Sequence, residues 1–304
     1  MSRTKTVACL AGDGVGPELM AAAARALDRV SKLHALELDD VHLPFAGEGI
    51  TRCGHALPAS TRAAYRNVDA ILVASPDEPA FEGVKADLDL AWRVARVHLA
   101  DDADVLVFGP VGDWADEVAL ERAFSCAASR GGRVTVVGEA AGWQAAVDAE
   151  HARWAGMQVT RLTLGEALVR LQEHPGDLDV IATDSSLFGG IVDAAAHFAG
   201  SRGAVAQAWL PEQGPGVFAP GSSESDDVAG FGVADPSGML LTASLLLGEG
   251  LKRRSAARTL ERAVGTAMRA RGNGPSETRS FADAVIELLP QTRTDLELFD
   301  EVRR

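Results

Sequence analysis

Apolar positions along the chain follow two alternating patterns. Short runs rich in Val, Ile and Leu, namely TVACLAG (6–12), DAILVAS (69–75), ADVLVFG (103–109), GRVTVVGE (132–139) and LDVIATD (178–184), read as buried strands. Helical periodicity fills the intervals between them. This alternation predicts βαβ units and an α/β fold, with a mostly parallel sheet flanked by helices. The last part of the chain changes character. PSGMLLTASLLLGEGL (236–251), SAARTLERAVGTAMRAR (255–271) and SFADAVIELL (280–289) keep the helical period with no strand between them, so several helices close the fold. The polar stretch PGSSESDD (220–227) reads as a solvated loop, and no internal repeat is present.

CLAGDGVGPELM (9–20) is where a strand meets a glycine turn and then a helix. The spacing G-x-G-x-G lacks the last interval of the dinucleotide fingerprint and the Lys-Ser/Thr of a P-loop. Pro17 suits the first turn of a helix, where a missing N–H costs nothing, and Glu18 suits the positive end of the helix dipole. By itself this segment reads as a tight βα turn.

Composition narrows the chemistry. The 43 acidic and 29 basic side chains give a formal charge of -14, which disfavours nucleic acid and anionic membranes as partners and leaves a small molecule. No signal-type N-terminus or membrane-length apolar run is seen, so a cytoplasmic location is expected. Cys9, Cys53 and Cys126 are far apart and are expected to be buried small apolar residues. No G-x-S-x-G, H-E-x-x-H or C-x-x-C pattern anchors a hydrolase, zincin or thiol-redox reading. Tyr65, the sole tyrosine, falls on a surface-type helix and is read as structural, and His174, before Pro175, as a helix cap.

An ordered series of motifs resembles the isocitrate/isopropylmalate dehydrogenase family of β-decarboxylating dehydrogenases. GDGVGPE is similar to its opening G-D-G-I-G-P-E, and GHALPASTRAAYRNVDAILVASPDEPAFE (54–82) to its G-x-x-L-P-x-x-T segment and following strand. AFSCAASRGGRVTVVGEA (123–140), HPGDLDVIATDSSLFGGIVDAAA (174–196) and APGSSESDDVAGFGVADP (219–236) parallel its helix-strand, metal-helix and nucleotide-loop segments. The resemblance implies two domains around a cleft. The first would comprise residues 1–97 plus 222–304 and the second, which carries the dimer contact, residues 98–221. It also implies NAD or NADP, a divalent cation such as Mg or Mn that polarises a carbonyl oxygen, and a homodimer with shared active sites.

Against that pattern the reacting groups differ. The family lysine falls on Glu139, and residues 98–221 contain no lysine. The family tyrosine is absent, because only PVGDWADEV occupies its segment. The three cation-holding acids fall on Gly165, Gly190 and Ala194, with Glu166 and Asp193 each one place away. One residue on a helix is a rotation of about 100 degrees, so these two acids are shifted metal candidates. Arg93 and Arg96 are the candidates for gripping a substrate carboxylate, set against a reading as solvated charges on an amphipathic helix. Gly221, Ser222, Asp227, Val228 and Asp235 are the cofactor-side candidates, with NAD favoured over NADP by the carboxylate of Asp227. The family's asparagine is Asp235, which can only accept hydrogen bonds when ionised.

Three functions follow as expectations. The first is a protein impaired for metal-dependent oxidative decarboxylation, acting as a homodimer or as the accessory partner of a catalytic paralogue, with a carboxylate or nucleotide as ligand. The second is an active NAD-dependent dehydrogenase of a 3-substituted malate. The third is non-redox chemistry on a carboxylate, for which Glu139, Asp184 and Asp193 form a conceivable acid-base set.

Overall fold

A computed structural model describes residues 3–76, 79–99, 104–112, 116–199, 205–221, 226–272, 277–292 and 295–296. The chain divides into two compact units, Met1–Leu88 with Gln213–Arg304, and Asp89–Glu212. The first unit opens with β1 (Lys5–Leu10), α1 (Gly16–Leu33), β2 (Leu38–His42), α2 (Ala46–Cys53), α3 (Ala59–Tyr65), β3 (Ala70–Val73) and α4 (Pro79–Ala86). The second holds β4 (Leu90–His98), β5 (Asp104–Pro110), α5 (Asp116–Ala128), β6 (Arg133–Val137), α6 (Ala141–Arg153), β7 (Gln158–Leu162), α7 (Leu164–Glu173), β8 (Val180–Thr183), α8 (Phe188–Phe198) and β9 (Val205–Pro211). The chain then returns to the first unit with β10 (Gly216–Pro220), α9 (Ser237–Leu245), α10 (Arg254–Arg271) and α11 (Thr278–Leu288). The boundaries expected at 97/98 and 221/222 lie earlier, at Leu88/Asp89 and Glu212/Gln213, because β4 pairs within the second unit and β10 within the first.

In the first unit the strands run parallel in the order β2-β1-β3-β10. Every residue of α9 is buried, as expected of a helix that is apolar all round. It packs on β10 and against α1 and α10. Its polar side chains are satisfied internally: Thr242 donates to the Gly238 carbonyl at 2.7 Å and Ser244 to that of Ala257 at 3.0 Å. The helix runs on into a π turn over Leu246–Gly250.

The glycine turn at the start is a βα connector. Gly12 and Gly14 hold positive φ angles of 73 and 58 degrees, which a side chain disfavours. A Cβ on Gly16 would collide with the Ala11 carbonyl oxygen and the Ser75 hydroxyl. Ser75 Oγ donates to the carbonyls of Ala11 at 3.2 Å and Asp13 at 3.1 Å, and Asp13 Oδ2 accepts from the Gly47 N–H at 2.9 Å. The turn's own backbone and its neighbours thus fill the space beside Gly16 and Gly47.

Tyr65 is fully buried on the inward side of α3, whose Ala59, Ser60 and Ala63 are exposed, as fits a structural residue on a surface helix. Its hydroxyl donates to Asp87 Oδ2 at 2.5 Å, a carboxylate also gripped by Arg62, and burial followed by that bond pushes the phenol pKa up. Of the cysteines, Cys9 is buried, Cys126 half-buried and Cys53 exposed at the end of α2, so the expectation of burial fails for Cys53. No helix among the described residues is long and apolar enough to cross a membrane.

In the second unit the order is β9-β4-β5-β8-β6-β7. β4 is antiparallel to both β9 and β5, and the remaining pairs are parallel. Strand alternation sorts the side chains. Ala95, Val97, Val105, Val107 and Ile181 pack with Ala167 and Leu171 of α7 and with Phe188, Ile191 and Ala195 of α8. On the opposite face α5 packs against β4, β5, β6 and β8, with α6 beside it.

Candidate functional site

The carboxyl ends of parallel strands are where open α/β sheets bind ligands. In the second unit that edge is formed by β5, β8 and β6. Register sets Arg93 opposite Gly109 and Thr183 opposite Val137, while Phe108 pairs with Ala182, so Gly109 and Thr183 are neighbours. Arg93 and Thr183 share the face covered by α7 and α8, since they have the parity of Ala95 and Ile181.

Gly109 makes room in this row. A Cβ there would lie 2.8 Å from the Phe188 ring and 3.2 Å from the Thr183 carbonyl oxygen. Phe188, the first residue of α8, occupies that space, and the Arg93 guanidinium carbon lies 4.1 Å from its ring centroid. Arg93 Nη2 donates to the Ser185 carbonyl at 2.7 Å. Its Nε is buried without a hydrogen-bond partner, and among the described residues no carboxylate pairs with it. Burial lowers its pKa, the signature of a cation held out of water without a counter-charge.

On the other face, Asp184 Oδ1 accepts from the N–H of Ser186 at 3.0 Å, its hydroxyl at 2.6 Å and the N–H of Leu187 at 3.2 Å. This Asx-type turn leads the chain into α8. Asp184 Oδ2 and Trp143 Nε1 approach Gly138, whose φ is 144 degrees; a Cβ there would lie 2.6 Å from the oxygen and 2.9 Å from the nitrogen. Trp143 Nε1 and Thr183 Oγ1 are both buried with no hydrogen-bond partner. The carboxyl edge therefore carries three polar atoms that the fold leaves unsatisfied: Arg93 Nε, Trp143 Nε1 and Thr183 Oγ1.

Arg96 is not part of this edge. Both arginines lie on a strand rather than a helix, and three positions apart on a strand means opposite faces. Arg96 Nε lies 3.5 Å from Asp104 Oδ2. The pair therefore cannot form one carboxylate clamp, which corrects the reading of them as joint candidates and as solvated helix charges.

The shifted metal candidates stand on different helices, α7 and α8. Glu166 stands at the third position of α7 in a capping box: its carboxylate accepts from the Thr163 N–H at 2.8 Å and hydroxyl at 2.9 Å, while the Thr163 hydroxyl accepts from the Glu166 N–H at 3.3 Å. The backbone bond, then the hydroxyl bond, lowers its pKa. Asp193 is on the exposed face of α8 with Gly189, Gly190 and His197, and Ala194 beside it is half-buried. Glu139 is exposed just past β6, and His174 forms the C-cap of α7. Among the described residues no group of three His, Cys, Asp or Glu side chains is arranged to hold a metal. Of the acid-base candidates, Asp184 is the one that stands beside Gly138, the neighbour of Glu139 in the chain.

On the nucleotide side, Gly221 is half-buried after β10 and Ser222 lies outside the described residues. Asp227 is exposed and Val228 half-buried on a short 3-10 turn, Asp226–Val228. Asp235 is engaged in the fold. Its Oδ1 accepts from the Ser237 N–H at 2.9 Å and hydroxyl at 2.5 Å at the start of α9, and Arg271 Nη1 lies 2.8 Å away. Burial raises its pKa, but the bonds from Arg271 and Ser237 outweigh that and leave it below the usual carboxylate range. The sequence reading missed Gly109, Trp143, Thr183 and Phe188, whose only visible signal was their position at or just past strand ends.

The family model described as isocitrate/isopropylmalate dehydrogenase matches residues 6–92 and 115–285. The 3-isopropylmalate dehydrogenase of Synechococcus sp. (strain CC9902) is 31% identical over 319 residues, covering 85% of this chain and 89% of that enzyme. That of Bacillus anthracis is 30% identical over 345 residues, covering 93% and 96%. The fold is similar to the apo β-decarboxylating dehydrogenase of Thermococcus kodakarensis, with a TM-score of 0.82, 21% identity and 99% of each chain covered. It is also similar to isocitrate dehydrogenase from Methylococcus capsulatus, with a TM-score of 0.80, 18% identity and coverage of 94% and 99%. The motif series and the span of the family match agree: the chain belongs to the isocitrate/isopropylmalate dehydrogenase family.

Proposed function

We propose that this chain is a divergent member of its family that binds a small carboxylate at the carboxyl edge of its second unit and is impaired for metal-dependent oxidative decarboxylation, acting as a binding or accessory protein. Arg93 carries the reading. A half-buried guanidinium with no counter-charge among the described residues and an unsatisfied Nε is stabilised by an anion that supplies both. The planar fork suits a carboxylate, and the Phe188 ring fixes its plane.

Impairment is supported by the side chains present. A divalent cation would polarise the substrate carbonyl, but Glu166 is committed to its capping box and the neighbouring positions are Gly165, Gly190 and Ala194. An anion, Glu139, stands where proton transfer would call on an amine. Asp227, exposed on its turn, fits a ribose diol better than a second phosphate, so a dinucleotide of the NAD type remains a candidate ligand. Asp235 offers no free donor to an adenine. A homodimer, or pairing with a catalytic paralogue, belongs to the same reading.

Titration with isopropylmalate, malate and isocitrate, with and without NAD and Mn, tests it. The expected result is carboxylate binding that is indifferent to chelator, with no NADH formed. Mn-dependent NADH formation would overturn it in favour of the second reading, an active NAD-dependent dehydrogenase of a 3-substituted malate. That reading draws its support from 30–31% identity to 3-isopropylmalate dehydrogenases over 85–93% of the chain. Molecular mass in solution, alone and mixed with a catalytic paralogue, checks the assembly.

A further inference from the structure

Two contacts hold the Arg93 guanidinium, and both come from the short stretch 184–188 that joins β8 to α8. Ser185 supplies the carbonyl that accepts from Nη2 at 2.7 Å, and Phe188 supplies the ring centred 4.1 Å from the guanidinium carbon. The shape of this turn therefore sets the orientation of the cation. A planar fork that must meet a planar carboxylate loses affinity when its own plane is not held.

One oxygen closes the turn. Asp184 Oδ1 accepts from the Ser186 N–H at 3.0 Å, the Ser186 hydroxyl at 2.6 Å and the Leu187 N–H at 3.2 Å. Leu187, the N-cap of α8, has no side-chain cap of its own, so Asp184 satisfies the donors that lead into the helix. Gly138 makes room for the carboxylate, since a Cβ there would stand 2.6 Å from Asp184 Oδ2. Oδ2 takes none of the three bonds, so the turn calls for an acceptor at one position and not for a charge.

We propose that Asp184 is a positioning residue: through Ser185 and Phe188 it holds Arg93 in the orientation that takes a carboxylate, and an amide at residue 184 does this as well as an acid. The inference rests on the reading of Arg93 as the carboxylate's partner. Supporting groups that lock a binding side chain are what keep a site from loosening.

Calorimetry of isopropylmalate with the full chain tests it. Asp184→Ala weakens binding about tenfold, the scale of one or two hydrogen bonds, whereas Asp184→Asn, which keeps the acceptor, binds at least as tightly as wild type. Ser186→Ala, an exposed substitution that removes the shortest of the three bonds, acts in the same direction as Asp184→Ala but less strongly. A second readout needs no ligand: the rate at which phenylglyoxal modifies Arg93, followed by peptide mass mapping, rises several-fold in Asp184→Ala and is unchanged in Asp184→Asn. An Ala variant that binds like wild type, or an Asn variant as weak as the Ala one, would overturn the proposal. Equal modification rates in wild type and both Asp184 variants would overturn it whether or not the ligand binds. Absence of isopropylmalate binding to wild type, with the modification pattern as expected, would support the positioning of Arg93 and overturn only the reading of its ligand.

Discussion

The two ends of the second unit's sheet are built from the same residue types to opposite effect. At the amino end, Asp104 opens β5 and Asp179 precedes β8, and Arg130 bridges them: Nη2 donates to Asp104 Oδ1 at 2.7 Å and Nε to Asp179 Oδ1 at 2.5 Å. Arg96 closes the group from β4. Burial works against both ionised partners, yet Arg96 and Arg130 hold the Asp104 carboxyl below its usual range, and Asp104 holds the Arg130 guanidinium above its own. At the carboxyl end, Arg93 has an aromatic ring and one carbonyl and, among the described residues, no acid. Charges that fasten strands are matched within the chain. On the proposed reading, the charge left unmatched at the carboxyl edge is where a bound carboxylate would complete it.

Mutation can break that contrast. Arg130→Ala strands the largely buried Asp179 carboxylate and leaves Asp104 with Arg96 alone, and should cost about 3 kcal/mol, the scale for removing one partner of a buried pair, read as a lower urea midpoint. Arg93→Met should do the reverse, leaving the midpoint unchanged or raised while weakening carboxylate binding at least about tenfold, or ~1.4 kcal/mol, by calorimetry. Loss of stability without loss of binding would place Arg93 with the structural charges.

Acid sharpens the same comparison. The Asp104 pKa is lowered in the fold, so its contribution is fully present above the unfolded value near 3.8 and is lost as pH falls through the depressed folded value. The urea midpoint should therefore drop on acidification below 3.8 less steeply in Asp104→Asn than in wild type. Smaller effects separate capping from metal binding. Thr163→Ala should cost about 1 kcal/mol as a lost cap, whereas Glu166→Gln should leave any thermal response to Mn unaltered. Smallest of all, Thr183→Val removes an unpaired hydroxyl at nearly constant shape and should change stability by no more than about 0.5 kcal/mol in either direction.

What the sequence disclosed follows the physics of each signal. Strands buried on both faces, such as β3 and β8, are continuous apolar runs and were legible, as were the closing helices with their 3.6-residue period. β4 was not, because LAWRVARVH places arginines three apart, a spacing that reads as one helix face but becomes two sheet faces. β2 and β7, mostly solvated, carried too few apolar residues to be seen. At the candidate site, the expectation that the family's acids and lysine are replaced rests on single positions, Gly165, Gly190, Ala194 and Glu139. The roles of Glu166 and Asp235 were not legible, since a carboxylate that caps a helix and one that holds a ligand look alike until their hydrogen bonds are traced. Trp143 and Thr183 gave no warning, because an unsatisfied buried atom is a property of three-dimensional surroundings.

The division of the first unit between the chain's two ends has a consequence for biosynthesis. β3 pairs with β10, and residues 74–215 separate them. A nascent chain emerging from the ribosome therefore exposes one bare edge of β3, AILV, until the whole second unit has been translated. The contiguous Asp89–Glu212 unit completes its last strand, β9, at Pro211, and β10 follows directly at Gly216. Shielding of that early edge by a holdase, rather than the intrinsic speed of any helix, should govern how much of this protein reaches its native state in a cell.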